Sequence, residues 1–190
     1  KIPGFSSISE WAYRQVAKNR ESFSFLTRWI WGTALGRPTW HLARRFFIIL
    51  LGFVYFTAFY SLGAQIEGLI GKEGILPAQN FLQQVESQSG TKRLWELPTL
   101  FWLEVGDEFL TFICLAGTAI SLLVIAGIAP ALGLLILWLF YLSLFNVGQQ
   151  FLGFQWDTLL LETGFLAIFL APLKWRPKLE NEPPPSPWVL

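Results

Sequence analysis

The chain has 190 residues, of which 53% are apolar, 17% aromatic and 14% charged, against about 25% charged in a typical soluble domain. A net charge of +1 argues against nucleic acid as a partner, because phosphate recognition needs Lys and Arg gathered on one face. A single Cys (Cys114) and a single His (His41) cannot make an internal disulfide, a CxxC dithiol or a histidine-built metal centre.

The first four residues, Lys1-Ile2-Pro3-Gly4, lack the apolar stretch of a signal peptide, and the absence of Met gives the expectation of a chain that begins after its initiator. Residues 1–45 mix eight Lys or Arg and two Glu with Trp11, Tyr13, Phe23, Phe25, Trp29, Trp31 and Trp40. Rings and cations together suit the headgroup layer, so this segment is expected to be an amphipathic interfacial anchor or a docking surface for a partner. Residues 9–19 can form a short helix with Ser9 as N-cap. His41, beside Trp40, is expected to be a solvated interfacial residue.

Crossing about 30 Å of hydrocarbon takes about 20 apolar residues. Three segments qualify, at 46–64, 109–129 and 131–147, and no charged residue falls between 111 and 155. Ala129-Pro130-Ala131 separates the second from the third; Pro disfavours helical geometry in the residue before it, so these two helices form a tight hairpin. Cys114 is expected to pack as a small hydrophobe. A fourth segment, 151–171, reaches bilayer depth only by carrying Gln155, Asp157 and Glu162 into or near the membrane; the alternative is three crossings with 151–173 lying on or dipping into the surface.

Charge sets the expected topology. Residues 65–108 carry three basic and seven acidic side chains, and residues from 174 onward three basic and two acidic. The positive-inside rule then puts both ends in the cytoplasm, which four crossings and an outer loop at 65–108 satisfy. The fold expected is an all-α, polytopic, integral membrane helical bundle of about four transmembrane helices. Its final segment, 174–190, holds Pro183-Pro184-Pro185-Ser186-Pro187, which cannot continue a helix and reads as an extended linker.

Two stretches stand out from the apolar background. The outer loop opens with Gln65, then Gly68, Gly71, Gly74 and Pro77 at close spacing, which forces turns, while Leu69, Ile70, Ile75 and Leu76 supply apolar anchors. A structured cap follows, and its spacing is not that of a phosphate-binding loop. The second stretch runs from Gly148-Gln149 through Gln155-Trp156-Asp157 to Glu162. At about 100° per residue Gln155, Thr158 and Glu162 share a narrow polar stripe, which must face protein or water, since ionisable groups in a span are costly. Asp157 lies on the other side and can cap a helix that begins at Thr158. Glu162 is too deep to cap. It either bonds a neighbouring helix, through Gln149, Gln150 or Tyr141, or serves a substrate or proton. About 140° separates Asp157 from Glu162 around a helix, so the two do not converge as an acid-base pair.

These two stretches, separated by an apolar hairpin, resemble the lipase maturation factor family. The resemblance rests on Gln65, Gly68-Leu69-Ile70-Gly71, Gly74-Ile75-Leu76-Pro77-Ala78, Tyr141-Leu142-Ser143-Leu144, Val147-Gly148-Gln149, Phe154-Gln155-Trp156-Asp157 and the run from Leu159 through Glu162-Thr163-Gly164 to Pro172. It implies a polytopic membrane protein that, in animals, acts in the endoplasmic reticulum as a chaperone for secreted lipases. It also implies further membrane helices and an outer domain following this segment. A more distant similarity links the family to vitamin K-dependent carboxylases, whose chemistry finds no catalytic pair here. The expected role is therefore non-enzymatic assistance to another membrane or secreted protein, with no cofactor; the alternatives are an accessory subunit of a membrane complex, packed against partner helices, pigment or lipid, and an enzyme acting on a lipid-soluble substrate.

Overall fold

In the computed structural model the apolar runs become long helices, because a backbone in lipid must satisfy its N–H and C=O groups internally. The structure describes residues 41–89 and 92–175, together with Glu10, Gln15, Lys18 and Asn19. The chain divides into two units, residues 1–39 and residues 40–190. In the first, Glu10, Gln15 and Lys18 are helical, and Asn19 closes the turn by donating from its backbone and side chain to Gln15 O, at 3.1 and 3.2 Å. The proposed cap Ser9, the interfacial aromatics of residues 11–40 and the proline-rich residues 183–187 lie outside the described residues.

The second unit is helical throughout its described secondary structure. Helix α1 (His41–Gly63) leads into the short α2 (Ile66–Ile70), α3 (Ala78–Ser89) and α4 (Arg93–Glu96), a 3-10 turn (Leu100–Trp102), and then α5 (Asp107–Ile125), α6 (Pro130–Val147), a second 3-10 turn (Gln149–Phe151) and α7 (Gln155–Leu170). Among the described residues three helices, α1, α5 and α6, are long and apolar enough to cross a membrane. At about 1.5 Å per residue their 23, 19 and 18 residues match a hydrocarbon core of about 30 Å.

The expectation of four such helices is corrected here. The segment 151–171 is not one continuous span: Gln149 takes a left-handed φ of 47°, the chain makes a 3-10 turn, and α7 is left with 16 residues. Even so, α7 runs back along α6, and Pro172 just beyond it lines the same cavity as Arg44 and Arg45 at the start of α1 and Pro130 at the start of α6. Within this unit α1 therefore starts, and the segment after α7 stops, at one end of the bundle, and the loop elements α2–α4 join helices at the other.

Local chemistry explains the hairpin between α5 and α6. Ala129 adopts the left-handed conformation (φ 44°, ψ 52°) and Pro130 occupies the first turn of α6, which is where proline's fixed φ and missing N–H cost nothing. Ala129 N–H donates to Trp175 O at 2.7 Å, tying the chain after α7 to this turn. Helix α1 starts five residues earlier than the apolar pattern indicates and so includes Arg44 and Arg45. His41 is half-buried, with Nδ1 accepting from Arg44 Nη2 at 3.4 Å.

The core sits where α1 meets α5 and where α6 meets α5 and α7. It contains Leu51, Tyr55 and Phe59 of α1, Leu110, Ile113 and Val124 of α5, Leu134, Leu137 and Leu144 of α6, and Leu160 and Ala167 of α7. Cys114 is buried against Gly63. Lipid chains are as apolar as these side chains, so close packing and interhelical hydrogen bonds, rather than water exclusion, hold such helices together. The outward sides of the long helices carry Leu50, Phe53, Phe112, Leu115, Leu122 and Leu132 exposed, as a lipid-facing surface requires.

Candidate functional site

The sequence places its unusual polar residues in two regions, and the structure gives each a definite shape. The first is the cap formed by the opening of the loop. Gln65 is exposed and local, its side-chain amide donating to Ser61 O at 3.2 Å. After α2 the chain turns back over itself, with Ile75 N–H donating to Gly68 O at 3.0 Å and Leu76 N–H to Leu69 O at 2.9 Å. Gly71 is required by close approach: a Cβ there would overlap Glu67 O and stand 2.8 Å from Glu67 Cα. Gly74 lies against the same carbonyl and Gly68 faces open space. Pro77 sets the start of α3, its carbonyl accepting from Phe81 N–H at 3.3 Å.

Side chains from the long helices fasten this cap. Asp107, in the first turn of α5, accepts from Lys72 N–H at 2.7 Å, and Thr111 one turn on donates to Glu67 Oε1 at 3.0 Å. Gln149 donates from Nε2 to Leu76 O at 3.1 Å, so the two stretches singled out in the sequence meet here. The rest of the loop is held by α6: Ser143 Oγ accepts from Leu100 N–H, Ser143 O accepts from Thr99 Oγ1, both at 3.1 Å, and Asn146 Nδ2 donates to Pro98 O at 2.7 Å. Trp102 Nε1 donates to Leu97 O at 2.8 Å, Arg93 stacks 4.9 Å over the Trp102 ring, and the same arginine pairs with Glu86.

The second region is interior. Helix α7 begins at Gln155, not at Thr158, and Asp157 becomes its third residue, 4% exposed. Its Oδ2 accepts from Phe154 N–H at 3.3 Å, the return half of a capping box, and its Oδ1 accepts from Tyr141 Oη at 2.5 Å. Charge-assisted O–H···O⁻ bonds are the short, strong ones. Around this pair Tyr141 meets the rings of Tyr55 and Phe59 edge-on, at 6.0 and 5.7 Å, while Tyr55 and Phe59 stack on each other. Tyr55 is fully buried and its hydroxyl reaches Leu160 O at 3.5 Å. That approach depends on Gly164, where a Cβ would overlap Tyr55 Oη and stand 3.0 Å from Cζ. Trp138 adds a donor to Leu161 O at 3.0 Å.

The outward stripe, expected to face protein or water, lies on the surface of the bundle. Gln155, Thr158 and Glu162 are all exposed on α7, and among the described residues Gln149, Gln150 and Tyr141 make no bond to Glu162. Tyr141 is committed to Asp157 instead. Trp156 is also exposed, stacked on Phe154 with ring centres 4.7 Å apart. The arrangement therefore separates a satisfied, buried Asp–Tyr pair from an open carboxylate, and the two acids do not share a reacting point. No group of three His, Cys, Asp or Glu among the described residues is placed to hold a metal ion.

Sequence reasoning left out Tyr55, Trp138, Thr99 and Asn146, and named Gly164 and Ser143 only as part of the family resemblance. A usable signal existed for the inward face of α7: Asp157, Leu160, Gly164, Ala167 and Ala171 fall at helical spacing and are all buried, and small residues at that spacing mark close helix contacts in membranes.

Residues 42–190 match the model of the lipase maturation factor transmembrane domain. Among curated proteins, the chain is 46% identical over 145 residues to lipase maturation factor 2 of Xenopus tropicalis, covering 71% of this chain and 20% of that protein. It is 43% identical over 141 residues to human lipase maturation factor 2, covering 70% of this chain and 20% of that protein. Against lipase maturation factor 1 of Bos taurus the identity is 38% over 169 residues, covering 82% and 30%. The chain thus spans about a fifth to under a third of the length of these relatives. No solved structure matches. With a domain model matched over most of its length and three described helices long and apolar enough to cross a bilayer, the chain is a multi-pass membrane protein that belongs to the lipase maturation factor family.

Proposed function

We propose that the chain supplies the membrane-embedded part of a factor that assists the folding or assembly of secreted lipases, without catalysing a reaction itself. The observation that carries this reading is the match of residues 42–190 to the transmembrane domain of proteins named for lipase maturation. In this reading the bundle is a rigid platform: the Asp157–Tyr141 bond and the Tyr55–Gly164 contact fix α7, and the loop, tied to α5 and α6 by Asp107, Thr111, Gln149, Ser143 and Asn146, presents a structured surface on the outer side. The end carrying Arg44, Arg45 and Lys174 faces the cytoplasm, in keeping with the positive-inside rule.

The test is expression of the intact polypeptide in cells deleted for their own lipase maturation factors, together with a secreted lipase. The expected outcome is a rise in the ratio of secreted lipase activity to secreted lipase protein. A ratio equal to that of cells carrying an empty vector, with the polypeptide present in the membrane fraction, overturns the proposal.

A further inference from the structure

Helix α7 turns one face to the bundle and leaves the opposite face uncovered. Its inward residues Asp157, Leu160, Gly164 and Ala167 are buried, whereas Gln155, Leu159, Glu162, Leu166 and Phe169 are exposed. At about 100° per residue all of the exposed set fall within about 60° of Glu162, so the carboxylate stands at the centre of the open face. Their spacing alternates between four residues and three, which is the seam of a left-handed helix pair, where side chains of one helix enter the gaps of the next. Depth makes Glu162 the decisive member of that seam. Trp138, ninth of the 18 residues of α6, donates from Nε1 to Leu161 O at 3.0 Å, so the residue beside Glu162 lies level with the middle of a helix long enough to span the bilayer. Within α7 Glu162 is the eighth of 16 residues, about 10–12 Å from each end, farther than its two methylenes reach toward water. Among the described residues no hydrogen bond or ion pair is made by the side chain of Gln155 or Glu162.

Three properties fix the chemistry of what covers this face. At that depth the occupant must satisfy its own backbone, which makes it a helix. Leu159, Leu166 and Phe169 require apolar side chains that interlock with them one turn above and below the carboxylate. The carboxylate accepts hydrogen bonds and donates none, so the group opposite it must be a donor; a cation both donates and cancels the charge, and Arg does so through paired bonds. Ionisable groups within spans pair with one another for this reason. A second copy of this chain fits poorly, because a two-fold axis along the membrane normal sets residues of equal depth opposite each other and brings two Glu162 carboxylates together. We propose that the open face of α7 seats a partner transmembrane helix carrying an Arg or Lys at mid-depth, with Glu162 as its counter-ion and the apolar seam residues packed around the pair. Glu162 then sets the register of the two helices, the role that a lone polar residue plays in a helix seam.

The experiment uses the intact protein in phosphatidylcholine vesicles and, as probes, two dansyl-labelled model helices of about 20 leucines and alanines that differ in one central residue, Arg or Leu. Energy transfer from the protein's tryptophans to dansyl reads the association. The Arg helix is expected to bind about fivefold more tightly than the Leu helix, and Glu162→Gln, which keeps the shape and removes the charge, to abolish the difference. Leu166→Ala, on the seam, is expected to weaken binding of the Arg helix about threefold, and Leu115→Ala, on the exposed face of α5, to leave it unchanged. Equal binding of the two helices, a preference for Arg that survives in Glu162→Gln, or equal effects of Leu166→Ala and Leu115→Ala overturns the proposal. Self-association of the protein without any probe, lost in Glu162→Gln, overturns it in favour of a second copy.

Discussion

At the scale of single residues, the interior of the bundle is organised by one side chain that is absent. Gly164 leaves room for the Tyr55 hydroxyl against the backbone of α7, and this places the Tyr55 ring edge-on to Tyr141, whose own hydroxyl holds Asp157. A methyl group at 164 must push Tyr55 out, and overpacking of this kind costs about 1–3 kcal/mol. Gly164→Ala is therefore expected to lower the unfolding temperature in detergent. The atom in conflict is the phenolic oxygen, so Tyr55→Phe combined with Gly164→Ala should recover part of the loss. Equal damage in the single and double variants would show that the notch is not shaped by that hydroxyl.

At the scale of elements, what the sequence reveals depends on whether the signal is local. The long helices α1, α5 and α6 are legible because uninterrupted apolar runs have few other uses, and the α5–α6 turn because Pro130 restricts Ala129. The division of the last segment was hidden: Gly148 to Phe154 carries neither charge nor proline, and the left-handed Gln149 and the 3-10 turn break it. The face of α7 was legible by half. Helical geometry fixes Asp157 and Glu162 on different sides, but which side turns inward is decided by partners on α1 and α6, and the pattern of Gly164, Ala167 and Ala171 was the clue. Glu162 consequently stands among exposed Leu159, Leu166 and Phe169, a position where hydrocarbon alone is a poor solvent for a carboxylate. The cap yields a prediction at this scale. Asp107→Ala removes the acceptor for Lys72 N–H, and Gln149→Ala the donor to Leu76 O; each substitution is expected to accelerate amide hydrogen exchange in residues 71–78 by about fivefold to tenfold, as loss of about 1–1.5 kcal/mol of local hydrogen bonding implies. Exchange in the middle of α5 and α6 should not change.

At the scale of the whole molecule, the three long helices and the shorter α7 return the chain to the end from which α1 departs. In a background where Cys114 is replaced by Ala, cysteines introduced at the exposed positions Ala43, Leu173 and Glu73 report on this directly. Ala43→Cys and Leu173→Cys are expected to react alike with a membrane-impermeant maleimide in sealed vesicles, and Glu73→Cys from the opposite side. Labelling of residues 43 and 173 from different sides would mean that α7 does not cross. The notch at Gly164 bears on how α7 is seated against its neighbours. Gly164 is the single glycine of α7, so sliding the helix by one turn, about 5.4 Å, would bring a larger side chain beneath the tyrosine. The depth of α7 is thus indexed by a protein contact rather than by matching to the lipid, and thinning or thickening the bilayer should retune the tilt of its three longer neighbours while leaving its vertical position unchanged.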